Sequence, residues 1–168
     1  MPPADAFSDL PASARTITRT TIEAVNAARA GDAPAFEEAT TALGACDPEQ
    51  VRLVLGVVVR DLLEQLNPDG LGGDDLLELI RNCARRAFTW YPDIDVQALV
   101  VVLTGALGLH EEDSENPRRY TPVQVAHHAP LFIAELLTQP GQTELPPLAV
   151  YLRSAFDQIR VSELHEMP

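Results

Sequence analysis

The chain has 168 residues, an apolar fraction of 46% and a formal net charge of −13. That length suits one domain, of a size that buries roughly 68–70% of its unfolded surface. The acidity makes nucleic acid or an anionic membrane an unsuitable partner, since phosphate binding needs concentrated positive charge.

Met1 to Asp9 reads as a frayed lead-in. A first helix is expected from about Leu10 to Ala30, with Pro11 in its first turn and Gly31 as its terminator. Ile17, Thr21, Ala24, Val25 and Ala28 share its inward face. A short second helix follows Asp32, turns Phe36, Ala39 and Leu43 inward and ends near Gly44. The run Asp47-Pro48-Glu49-Gln50 combines a capping acid, proline at the first helical position and Gln three residues after the cap. It opens a helix from Pro48 to Leu66 that is nearly all apolar between Val51 and Val59. The core stripe of this helix is Val51, Leu55, Val58, Leu62 and Leu66, while Leu53 and Val57 face away from it.

Asp69 to Gly73 is a glycine-rich turn. Asp74 is expected to cap a fourth helix through Trp90, with Leu76, Leu77, Ile80, Cys83, Ala84 and Ala87 inward. Ile94 to Leu109 has almost no polar face, and a helix apolar all round is normally buried on every side. It is shorter than the ~20 residues that cross a bilayer, so its solvent should be the other helices. His110 to Tyr120 is non-periodic and reads as a loop. Thr121-Pro122-Val123-Gln124 repeats the cap logic and starts a sixth helix, in which Pro130 predicts a kink or break near Ala129. A last helix, about Pro146 to Val161, spaces Leu148, Leu152, Ala155, Phe156 and Ile159 as one face, and residues 162–168 are expected to fray. The valine clusters at 57–59 and 100–102 lie inside long runs behind helix-start signals, so length decides for helix over strand. The expected fold is an all-α, single-domain bundle of about seven helices around two buried ones, at about 48–66 and 94–109.

Gly31-Asp32 and Asp47-Pro48, with Phe36 and Leu43 between them, resemble the spacing of the second helix in a tetratricopeptide repeat. The likeness covers about one repeat, and a solenoid needs at least ~3. The resemblance therefore implies helix punctuation and not a repeat fold.

Chemistry-bearing residues are sparse. Cys46 and Cys83 make neither a Cys-x-x-Cys pair nor a disulfide framework, as expected of a reducing compartment. No charged segment leads into an apolar one at Met1–Leu10, so a cytoplasmic location without a membrane is expected. All 12 basic residues are arginine. In an Ala-, Val- and Leu-rich chain this reads as coding habit.

The loop Asn67 to Asp75 lacks the Lys-Ser/Thr of a P-loop, and with Gly70 at the invariant turn position an EF-hand would need Glu where Leu76 stands. No nucleophile elbow, Cys-His signature or dinucleotide fingerprint is present, and no catalytic residue, metal site or cofactor is assigned. Candidate ligand or partner contacts are Arg81 and Arg85 (one helical turn apart), the adjacent aromatics Trp90 and Tyr91, His110 beside four acids, and His127 and His128 beside Pro130.

The sequence points first to a small, acidic, non-catalytic protein that acts by protein–protein interaction or regulation, with another protein or a second copy as partner. The surplus apolar positions Leu53 and Val57 favour that reading. The alternative is a small-molecule-binding protein or enzyme with an interhelical pocket near Trp90, Tyr91, His127 and His128. A third possibility is an acidic decoy for a basic partner, whose binding would weaken steeply with salt.

Overall fold

A computed structural model describes residues 7–108, 121–139 and 145–166. The described residues form seven helices and no strand: α1 (Ala12–Ala30), α2 (Ala33–Gly44), α3 (Pro48–Leu66), α4 (Gly73–Phe88), α5 (Val96–Ala106), α6 (Pro122–Leu137) and α7 (Leu148–Glu166). The expected all-helical bundle is what the chain forms. None of these helices is long and apolar enough to cross a membrane.

Most helix starts follow from local side-chain chemistry. Asp32 accepts from the Ala35 N–H, Asp47 from Glu49, and Asp95 from both Gln97 and Ala98. Each bond satisfies a backbone donor that the first turn leaves without an intrahelical partner. Thr121 and Gln124 form a reciprocal box: the hydroxyl accepts from the Gln124 N–H, and the Gln124 amide oxygen accepts from the Thr121 N–H. At the start of α4 the expected cap is displaced. Gly72 occupies the cap position and Asp75, not Asp74, reaches back to its N–H at 2.9 Å. Pro11 likewise stands just outside α1, as its cap.

One apolar cluster draws on all seven helices. Val51, Val54, Leu55, Val58, Val59, Leu62 and Leu63 bury α3 well beyond a single stripe, and Ala98, Leu99, Val102, Leu103 and Ala106 are the buried residues of α5. Val96 is 44% exposed and Val100 and Val101 half-buried, so α5 keeps one side partly open. The third buried helix is α6, which packs against α1, α2, α3, α4 and α5. Its residues Leu131 to Leu136 are buried without interruption.

Pro130 does not break this helix, which is continuous from Pro122 to Leu137. The proline removes one ladder donor, a local cost, whereas burial of Leu131, Phe132, Ile133 and Leu136 stabilises the helix from every side. Packing outweighs the missing bond.

Three further boundaries differ from expectation. α5 is shorter at both ends, beginning after Asp95 and stopping at Ala106, with Gly108 at φ 70° just beyond. α7 continues past Val161 to Glu166, because Ser162 to Glu166 contains no breaker. Leu77 on α4 is 51% exposed and does not face the core. At the chain's start, Asp9 holds Arg153 of α7 through two bonds of 2.7 Å, which ties the lead-in to the bundle.

Candidate functional site

The candidate residues separate into several places. Trp90 and Tyr91 anchor the turn between α4 and α5 on Phe36 of α2. Both rings meet Phe36 near edge-to-face with centroids 5.2 Å apart, a favourable arrangement of aromatic quadrupoles. Trp90 also lies over Gly31, whose left-handed φ of 68° closes α1. Burial and the neighbouring Glu37 carboxylate push the Tyr91 hydroxyl up to about 12. The same Glu37 lies 3.8 Å from His127 Nε2, and the other ring nitrogen of His127 is bonded to the Val123 carbonyl.

His128 is buried and has a structural task. Its Nε2 accepts from the Asp95 N–H at 2.9 Å, which requires an unprotonated Nε2. The proton therefore sits on Nδ1, which donates to the Gln124 carbonyl at 2.7 Å. Burial holds its pKa below the ordinary histidine value. His128 thus pins the start of α5 to α6.

Arg81 and Arg85 are exposed on α4 and pair with no carboxylate among the described residues, Glu78 included. His110 lies outside the described residues. The glycine loop is a turn closed by the Gly70 N–H on the Asn67 carbonyl. Among the described residues, no three His, Cys, Asp or Glu side chains are placed to hold a metal ion.

The interhelical pocket expected near both aromatics and both histidines takes another shape. A recess of about 300 Å³ opens between the ends of α1, α4 and α6, and of those four residues only Trp90 lines it. Small residues make the space: Ala28, Ala30, Gly31, Ala87 and Ala134 leave it unfilled. Its polar wall is the pair Arg86–Glu135, at 2.9 Å. The Glu135 side chain is 3% exposed and that of Arg86 62%, so a sheltered carboxylate is met by a guanidinium reaching in from solvent. Burial raises the Glu135 pKa, and Arg86 opposes the shift. Cys83 lines the same recess, and its thiol is pushed up by burial and by Glu135. Glu135 did have a sequence signal, as the lone charge in the apolar run Leu131 to Leu137.

A different feature joins α3 and α7. Gln158 bridges Arg60 and Asp61, donating to the Asp61 carboxylate and accepting from Arg60. Tyr151 donates to Gln65. Residues 60–61 pair with 158 and residue 65 with 151, so the two helices run antiparallel. Leu53, Val57, Asp61 and Gln65 form one row at four-residue spacing, and extending the antiparallel register past these bonds directs Leu53 and Val57 toward the end of α7 that carries Val161 and Leu164, where residues 160–166 are all exposed. The polar end of this seam is bonded. At its apolar end Leu53 is 38%, Val161 52% and Leu164 62% exposed, with Val57 half-buried.

Comparison with protein-family models, with characterised proteins and with solved structures returns no match.

Proposed function

We propose that this chain is a non-catalytic interaction protein whose contact surface is the apolar end of the α3–α7 seam, and that a second copy of the chain covers it. The observation that carries the reading is the exposure of Leu53, Val161 and Leu164, with Val57 half-buried, toward one end of an antiparallel helix pair whose other end is joined through Gln158 and Tyr151. Apolar side chains set together on neighbouring helices gain by being covered, at roughly 25 cal/mol per Å². Four side chains make a small patch, which suits a weak, concentration-dependent dimer better than an obligate one. The absence of any nucleophile or dinucleotide motif in the sequence keeps the reading on the binding side.

Light scattering across a concentration series tests it. The expected result is a dimer mass at high concentration, returned to the monomer mass by Leu53→Glu and by Leu164→Glu with an unchanged helical circular dichroism spectrum. Both positions are exposed, so the substitutions leave the core intact. A strict monomer throughout, or a dimer that ignores both substitutions, overturns the reading.

A further inference from the structure

Of the 16 residues of α4 only Ile80, Cys83 and Ala87 are buried, and the helix packs chiefly on α6 and α5. At about 100° per residue, Leu77, Arg81, Arg85 and Phe88 fall within an arc of about 80° on the side turned away from those three. Leu77 is 51% and Phe88 64% exposed, and both arginines are exposed between them. Asp74 and Glu78 share that side nearer the start of the helix, yet neither arginine forms an ion pair among the described residues. In a chain of 25 acids and 12 arginines, this is positive charge that the fold leaves unmatched. Like charges four residues apart repel across one helical turn. A partner with two carboxylates at the same spacing removes that repulsion and gains forked, charge-assisted bonds.

We infer that this side of α4 is a docking surface for an acidic amphipathic helix of another protein. Arg81 and Arg85 take two carboxylates one turn apart, and apolar side chains on either side of those carboxylates cover Leu77 and Phe88. Such a helix brings its few charges only to this side of the chain, and at 0.1 M salt charges more than about 10 Å away are largely screened. An anionic lipid surface is the poorer match, because two arginines are not the broad basic patch that it requires. The surface uses no residue of the α3–α7 seam, so it stands or falls independently of the dimer.

The probe is a fluorescein-labelled synthetic helix of about five turns, carrying two Glu one turn apart on a face of Leu and otherwise Ala and Gln. Its reference peptide has Lys in place of both Glu. The expected result, by fluorescence anisotropy with the full chain, is saturable binding of the Glu peptide that weakens as salt rises, and none of the Lys peptide. Arg81→Glu combined with Arg85→Glu weakens the Glu peptide by about tenfold or more and admits the Lys peptide, a gain that an unfolded variant does not give. Phe88→Ser weakens the Glu peptide by about tenfold, the loss of one covered ring. No binding of the Glu peptide by the wild type overturns the inference, as does binding that ignores the charge reversal or Phe88→Ser. Binding that appears only after Glu111, Glu112, Asp113 and Glu115 are changed to Gln makes the chain's own acidic stretch the occupant and overturns it as well. So do phosphatidylserine vesicles bound through the same arginines in the peptide's place, and a dimer of the chain alone that Phe88→Ser dissolves, which makes a second copy the occupant.

Discussion

His128 shows how one side chain can make a fold sensitive to pH. Its bond to the Asp95 N–H exists only while Nε2 is unprotonated. Its folded pKa lies below the ordinary 6.5, so on acidification the unfolded chain takes up this proton first. The stability that His128 contributes is therefore fully present above pH 6.5 and is lost as pH falls from there toward the folded value. Glu135 acts in the opposite sense. Its pKa is raised, so its contribution is present below the ordinary carboxylate range and is lost as pH rises through its folded value. The carboxylate partner of Arg153, Asp9, is held down at about 2, so whatever it contributes is fully present near neutrality, is lost only in acid, and adds no slope around pH 6.5. Urea unfolding just below pH 6.5 should thus show stability falling with pH, and His128→Gln should flatten that slope. A second residue-scale prediction concerns Thr21, whose fully buried hydroxyl has no partner among the described residues. The other buried threonines of α1, Thr18 and Thr20, return theirs to carbonyls of the preceding turn. Thr21→Val removes an unsatisfied polar atom at nearly constant volume, and the urea midpoint should rise by the equivalent of about 1 kcal/mol.

At the scale of the element, helix ends carry the specific information. Asp95 serves two donors at the start of α5, and its own N–H is held by His128. Asp95→Ala should cost about 1 kcal/mol, the usual loss for a cap, measured as a lower urea midpoint at unchanged slope. Gly31 closes α1 in the left-handed region at φ 68°, and a Cβ built there would meet Trp90 at 3.6 Å, an ordinary contact. Gly31→Ala should therefore destabilise through backbone strain, by roughly 1–2 kcal/mol, and not through a clash. Replacing Trp90 with a smaller aromatic would then leave that cost in place, and a double-mutant cycle measures whether it does. Starts such as Asp47-Pro48 and Thr121-Pro122-Val123-Gln124 were readable because a cap involves residues two or three positions apart. The start of α4 was misread by two residues: with Asp74 and Asp75 adjacent behind two glycines, only the backbone path decides which of them turns back.

For the whole molecule, the charge of −13 is a field that opposes compaction. Few of the acids are matched: among the described residues the arginine pairs are Arg52–Glu49, Arg86–Glu135, Arg153–Asp9 and Arg153–Asp157. Raising ionic strength should screen the repulsion and raise the thermal midpoint followed by circular dichroism, and a midpoint that falls with salt would contradict this balance. The exposed pairs supply little in return. The stability of the fold lies instead in the apolar cluster shared by the seven helices, with α3 and α6 most deeply set in it.

What the sequence determined by itself was the helical class, the number of helices and most of their starts, since periodicity and capping act over three or four residues. It also marked Val51, Leu55, Val58 and Leu62 of α3, and the apolar run Ala98 to Leu103 of α5, as core, because such side chains are stable only where water is excluded, although Val100 and Val101 stay half-buried. Tertiary structure alone decided that α6 runs unbroken through Pro130, since burial on every side outweighs one lost hydrogen bond. It alone brought residues 28–31, 83–90 and 131–138 together as the walls of one recess. Segments that far apart in the chain meet only through helix packing, and the space between them is set by how small their alanines are, a property of three surfaces at once.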